Sequence, residues 1–418
     1  MAFPPVVGCR LARAASTSIE CSIIADLRSD TMTLPSDTML HAMARARLGD
    51  DVWQEDPTVR RLEAHAADLL GKERAIFVPS GTMANSIAIA CHTRRGDALL
   101  AGDMSHIVNY EQGGAAALWS VTATAVPNLP DGTMHLTDLD RAINPDDPHY
   151  ARTAMVALEL THNNCGGSSP PLAFIDGVGK LCSSRQLKLH VDGARLLNAA
   201  VSHNTSPARL LRCADSSTLC LSKGLGCPVG SVLAADATMI EAAQRIRKLL
   251  GGGMRQAGVL AAAGLVALGA DPSPTRSAAT LDDRDDSAWR EPLQLDHAHT
   301  ALLARGLAEA GRGALYVVSD ATAHAGLSGR TSNADEAEAV VQTNIVYFDY
   351  VPENAARQPP PLDLEAELAK RGVLLASGYT PSGGGEEQRF RAVLHRGVTR
   401  EAVHATIDAV AEVFGCPS

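Results

Sequence analysis

The feature that most constrains this chain is an alternation. From about residue 57 onward, short apolar runs take turns with stretches of helical periodicity. Thr58 to Leu70 sets Val59, Leu62, Ala66 and Leu69 on one helical face. A short buried strand is expected over 75–78 and a helix over 82–91. Further strands are expected at 98–101, 121–126, 154–158, 187–191, 218–221 and 231–234. Apolar runs of that length, each parted from the next by a helix, make a largely parallel sheet covered on both faces. The rhythm changes at 271–290, where Asp-Pro-Ser-Pro leads into a charged stretch. Beyond it, helices are expected at 299–310, 363–371 and 399–414. Strands are expected at 314–318, 344–350, 373–376 and 389–394. Residues 319–342 and 378–388 read as loops. The expected organisation is an N-terminal extension over 1–25, a large domain over 26–290 and a smaller α+β domain over 291–418.

Composition narrows the function. The 418 residues are 45% apolar and 20% charged, with a net charge of −10 and no basic cluster. That excludes nucleic acid as a main partner. No apolar run is long enough to cross a membrane. Nine cysteines lie scattered, with neither a C-x-x-C nor a zinc spacing, which fits a reduced, cytoplasmic protein. Arg10 and Arg13 precede the first acidic residue, so a weak mitochondrial presequence is the alternative to an unstructured extension. No dinucleotide fingerprint, Walker A loop, zincin motif or nucleophile elbow is present, and no metal site is expected.

Lysine is scarce, occurring only at 72, 180, 188, 223, 248 and 370. Lys223 stands at the end of an expected strand and is followed by Gly224 and Gly226. Burial there would favour a neutral, nucleophilic amine able to form a Schiff base. Asp192 follows the apolar run 187–191, where a carboxylate can pair with a protonated pyridine nitrogen. Ser80-Gly81-Thr82 joins a strand to a helix start, which suits a phosphate. Singly, each has a plain structural explanation: a snorkelling lysine, a helix cap, a capped turn. Together, in this order, they suggest pyridoxal 5'-phosphate and an aspartate-aminotransferase-like fold, a fold type I α/β architecture.

Seven segments carry a resemblance. Asp26 to Thr31, Gly49 to Trp53, Ser80 to Thr82, Thr161 to Asn163, His190 to Arg195, Leu221 to Gly226 and Gly251 to Gln256 resemble those of the L-threonine aldolases. These lyases use pyridoxal phosphate to split threonine or allo-threonine into glycine and acetaldehyde. The resemblance implies that Lys223 is the Schiff-base lysine and Asp192 the partner of the pyridine nitrogen. It implies that His106 stacks on the ring and that Gly81 and Thr82 form the phosphate turn. Arg195, Arg391 and Ser29 fall to the substrate carboxylate, with Arg195 also at the cofactor. Lys248 and Arg255 fall near the phosphate, reaching in from a neighbouring subunit of a dimer or dimer of dimers. His106 and His162 are the candidate bases for the β-hydroxyl proton. The Ala-rich stretch 257–268 is expected to pack at the subunit boundary. Trp53 stands where many family members have Tyr, which bears on substrate preference. The rivals are another pyridoxal-phosphate lyase or a transaminase acting on a small amino acid, and an inactive scaffold.

Overall fold

The computed structural model describes residues 23–273, 284–319, 329–351, 363–377 and 388–415. Its strands, in chain order, are β1 (Ala25–Asp26), β2 (Arg74–Val78), β3 (Ala98–Gly102), β4 (Thr122–Val126), β5 (Thr153–Glu159), β6 (Lys188–Asp192), β7 (Ser216–Cys220), β8 (Ser231–Ala235), β9 (Leu315–Val318), β10 (Arg330–Thr331), β11 (Ile345–Tyr350), β12 (Val373–Leu374), β13 (Ala376–Ser377) and β14 (Gln388–Val393). β3, β5, β7 and β8 are buried at every position, which is why their sequences read as continuous apolar or small-residue runs.

The larger sheet has the order β2-β8-β7-β6-β5-β3-β4. β4, β3, β5, β6 and β7 run parallel to one another. β8 runs antiparallel to both β7 and β2, so β2 again points the same way as β7. The carboxyl ends of β2, β3, β5, β6 and β7 therefore share one edge. Ligands of open α/β sheets bind at that edge. The smaller sheet, β10-β9-β11-β14-β13, is antiparallel throughout.

Several elements differ from expectation. The run 373–376 is two strands: Val373–Leu374 pairs in parallel with Ala25–Asp26, and Ala376–Ser377 joins β14. Residues just before 26 thus pair with the C-terminal part of the chain. The helix expected at 299–310 starts at Ser287 and carries Pro292 inside it. Part of the presumed loop 319–342 is a helix, Ala334–Val340, capped by Asn333. The segments 320–328 and 378–387, and the presequence reading of the first residues, lie outside the described residues. The helix Gly258–Ala267 buries one face within the chain itself and leaves Val259, Leu260 and Val266 partly exposed. Ala261, Ala263 and Leu265 are buried in the chain's own core, and the helix packs on Asp37–Arg45 and Pro57–Leu70. Helix Ser287–Ala310 joins two cores, giving Trp289 and Leu293 to the first and Leu303, Ala304 and Leu307 to the second.

Candidate active site

A cavity of about 250 Å3 opens at the shared strand edge. Ser29, Gly81, Thr82, His106, Asp192, Arg195, Lys223 and Arg391 all line it. Segments more than 300 residues apart in sequence converge because most lie at or just past the carboxyl end of a strand of the larger sheet, with Arg391 inside β14 of the smaller sheet and Ser29 in the chain's first turn.

Asp192 is the last residue of β6 and is 3% exposed. It does not cap a helix, for the next helix begins at Leu196. Its Oδ1 accepts from the Ala194 amide at 3.1 Å, and its Oδ2 accepts from Asn85 Nδ2 at 2.8 Å. The following glycine is demanded by space: a Cβ at Gly193 would run into the carbonyl oxygen of Thr218. Asn85 Nδ2 also donates to Glu111 Oε1 at 2.8 Å, and that oxygen lies 3.0 Å from His106 Nδ1. Burial raises the Glu111 carboxyl, with the neighbouring Asp192 charge adding to the rise and His106 opposing it. Burial pulls His106 down, but Glu111, Asp192 and Glu159 outweigh it and leave the ring easier to protonate than usual.

Glu159 and Asp192 are register partners on β5 and β6. Glu159 holds two backbones through its carboxylate, accepting from His106 N at 2.7 Å and from Asn163 N at 2.9 Å. Asn163 Oδ1 in turn accepts from Arg391 Nη1 at 2.8 Å and from Arg195 Nη1 at 3.4 Å. Arg195 is clamped from behind by Asp30, with Nε–Oδ2 and Nη2–Oδ1 both at 2.7 Å. Burial alone would raise Asp30; Arg195, then Lys223 and Arg391, overcome it and hold the carboxyl at about 2. The result is a pair of fixed guanidiniums, geometry that suits a carboxylate.

At the other end, Ser80 caps the helix Gly81–His92 by accepting from Met83 N at 3.2 Å. The first intrahelical bond runs from Ala84 N to Ser80 O, so the amides of Gly81 and Thr82 stand ahead of it. Ser231 Oγ is buried without a protein partner, 3.6 Å from where a Gly81 Cβ would lie. Lys223 is half-buried in the turn after β7, where Gly226 has φ +79° and a Cβ would lie 3.3 Å from the Leu34 carbonyl oxygen.

Three expected residues lie elsewhere. His162 is 2% exposed and outside the cavity lining, and neither ring nitrogen has a hydrogen-bond partner. Lys248 lies in the last turn of the helix Ala237–Leu249, and Arg255 pairs with Asp50 at 2.9 Å on the surface. Beside them Trp53 and Leu249 are 73% and 74% exposed. Sequence reasoning missed Asp30, Asn85, Glu111, Glu159 and Asn163. Asp30 and Asn163 sit inside motifs already singled out. Glu159 closes an apolar strand, where a charge is a signal in itself. Asn85 and Glu111 gave no local signal.

The residues fit pyridoxal phosphate. Two carboxylates sharing one amide have room for a ring N–H. The Gly81 and Thr82 amides, with the orphan hydroxyl of Ser231 on β8 beside them, suit a phosphate. The two arginines suit a substrate carboxylate.

Residues 26–311 match the family model described as Beta-eliminating lyase. Low-specificity L-threonine aldolase 1 of Arabidopsis thaliana is 39% identical over 387 residues, covering 91% of this chain and 94% of that protein. Low specificity L-threonine aldolase of Escherichia coli K12 is 46% identical over 264 residues, 63% of this chain and 77% of that protein. The Leishmania major threonine aldolase structure superposes with a TM-score of 0.71 at 17% identity, covering 93% of this chain and 99% of that one, a likeness of fold. With the larger sheet mostly parallel, and with the Arabidopsis relative matched over 94% of its length, the chain belongs to the low-specificity L-threonine aldolase family of β-eliminating lyases.

Proposed function

We propose that this chain is a pyridoxal-phosphate-dependent aldolase that cleaves L-threonine and L-allo-threonine to glycine and acetaldehyde. The observation that carries the reading is the Arg195–Asn163–Arg391 bridge in one cavity with Lys223 and Asp192. Bound pyridoxal phosphate supplies an electrophilic carbon for the substrate amine and a ring that accepts the electron pair released at Cα.

The chain's own residues do the rest. Lys223 would hold the cofactor through its side-chain amine. Asp192 accepts the ring N–H and keeps the ring electron-poor. Gly81 and Thr82 hold the phosphate. Arg391 and Arg195 grip the carboxylate, with Ser29 beside them, and so set the Cα–Cβ bond across the ring face. A base near the β-hydroxyl then takes its proton. His106 lines the cavity and has Nε2 to offer, since Nδ1 faces Glu111. Its role as base is favoured over that of His162 on access. Glycine leaves once Cα regains a proton.

The division into a cofactor-binding unit over 26–290 and a smaller unit over 291–418 belongs to this reading, supported by the two separate cores. So does a homodimer or dimer of dimers, supported by the exposed Trp53 and Leu249 beside Lys248. Among the described residues no helix is long and apolar enough to cross a membrane. A cytoplasmic setting is supported by cysteines that are not paired in disulfides among the described residues, such as Cys91, Cys182, Cys213, Cys220 and Cys227.

The test is to incubate the purified, cofactor-loaded protein with threonine and allo-threonine. Glycine plus acetaldehyde is the expected outcome; ammonia plus 2-oxobutanoate would reassign the bond that breaks. Lys223→Ala should lose the visible absorbance of the bound cofactor and nearly all turnover. A variant keeping both would mean that another lysine carries the cofactor.

A further inference from the structure

Behind Asp192, a line of polar side chains runs through the core of the larger sheet. Asn85 Nδ2 lies 2.8 Å from Asp192 Oδ2 and from Glu111 Oε1. Asn85 Oδ1 lies 3.1 Å from His190 Nε2, and His190 Nδ1 lies 2.8 Å from Ser216 Oγ. Ser216 Oγ lies 2.7 Å from Nε2 of His92, the last residue of the helix Gly81–His92. Asn85, His190 and Ser216 are at most 1% exposed, so none can turn to water for a partner.

The direction of every link follows from the donor inventory. Two carboxylates need donors, so the Asn85 NH2 faces them and its carbonyl oxygen faces His190. That oxygen only accepts, so the hydrogen of His190 sits on Nε2. Burial pushes His190 down to about 3, with His92 adding to the fall, and burial pushes His92 down to about 4. Both rings are therefore neutral at neutral pH. His190 Nδ1 is then an acceptor, and the Ser216 hydroxyl donates to it. Ser216 Oγ in turn accepts from His92 Nε2–H. No link can be reversed without leaving a buried group unpaired.

We propose that His190, Ser216 and His92 are positioning residues that lock the Asn85 amide, so that two N–H bonds, rather than a proton, satisfy Asp192 and Glu111 together. Asp192 is thereby kept ionised to receive the ring N–H. With Asn85 turned round, its oxygen would face both carboxylates, and the pair would take up a proton and hold the ring more weakly. This rests on the reading of Asp192 as the partner of the pyridine nitrogen.

Neutron diffraction from deuterium-exchanged crystals of the cofactor-loaded enzyme tests both statements separately. The expected map has deuterium on Nε2 of His190 and of His92, none on their Nδ1 atoms, and the Ser216 deuteron aimed at His190. Deuterium on His190 Nδ1, or on Asp192 or Glu111, overturns the proposal. A ring nitrogen lying away from Asp192 while the chain is intact instead overturns the underlying reading. Ser216→Ala supplies a second measurement. It should weaken pyridoxal phosphate binding about tenfold, titrated by visible absorbance, because His190 loses the donor that fixes its tautomer. A folded Ser216→Ala protein with wild-type cofactor affinity overturns the proposal; if the variant does not fold, the neutron map decides.

Discussion

Asn163 does with one oxygen what two like charges resist: it keeps Arg195 and Arg391 side by side. Asn163→Ala should let them part and raise KM for threonine about 10- to 100-fold, with a smaller change in kcat. Arg391→Ala should act in the same direction, since carboxylate binding is made in ground and transition states alike. Steady-state kinetics separates these from Lys223→Ala, where kcat itself collapses. Asp30 makes a prediction about acid. Its folded value, about 2, lies below the ordinary carboxylate value. It therefore contributes stability above the unfolded value, and that contribution is lost as pH falls through about 2. The contribution is about 2 kcal/mol, and denaturation curves from pH 7 to pH 3 should lose part of it. Asp30→Asn should be destabilised by about 3–5 kcal/mol at pH 7, because Arg195 stays buried without its counter-charge. Wild-type stability in that variant would sink the claim. At this scale the sequence was legible where chemistry is carried by residue type: a rare lysine, an aspartate ending an apolar run, a Ser-Gly-Thr turn. Asn85 was not, since its role comes from partners 26 to 107 residues away, nor was Glu111, which answers to Asn85 as well as to His106.

Elements were legible where one rule sufficed. β3, β5 and β6 announce themselves as short apolar runs because both faces of a parallel sheet are covered. The helix Ser287–Ala310 hid its first turns behind Pro292 and a charged start. Residues 373–376 look like one strand, yet Leu374 and Ala376 pair in different sheets, which only the tertiary structure decides. The helix Ala334–Val340 had a readable signal in Asn333 followed by Asp335 and Glu336, a capped and acidic first turn. The helix Pro57–Leu70 shows how a cap can serve more than its own element. Asp56 Oδ1 accepts from the Thr58 and Val59 amides at 3.0 Å. Its Oδ2 accepts from Gly49 N at 3.1 Å and from Gly258 N at 2.9 Å. One carboxylate thus ties the helix to the loop before it and to the helix Gly258–Ala267. Asp56→Ala should cost about 2–4 kcal/mol, beyond an ordinary cap, because buried amides on three segments lose their acceptor. Urea unfolding measures it; a loss of about 1 kcal/mol or less would mean that only the cap matters.

The whole molecule poses the question of where one active site ends. The cavity gathers Lys223, Asp192, Arg195 and Arg391 from a single chain. Gly81 and Thr82 line one end of it, while Lys248 and Arg255 lie outside the lining, Arg255 paired with Asp50 on the surface. Phosphate carries about two negative charges, so a site offering only amides is electrostatically incomplete. In a two-fold dimer each chain can supply Lys248 and Arg255 to the other's phosphate. Subunit mixing tests this directly. Lys223→Ala kills its own site but keeps an intact Lys248. Lys248→Ala paired with Arg255→Ala cripples phosphate binding but keeps Lys223. Each homo-oligomer should be nearly inactive. In a mixed dimer, the double variant's Lys223 meets the other chain's Lys248 and Arg255, which restores one site of two. Random reassociation makes half the dimers mixed, so activity should recover to about a quarter of wild type if the dimer is the functional unit. Recovery requires the two chains to share a site. If the mixture stays as inactive as its parents while light scattering confirms exchanged dimers, Lys248 and Arg255 serve only their own chain.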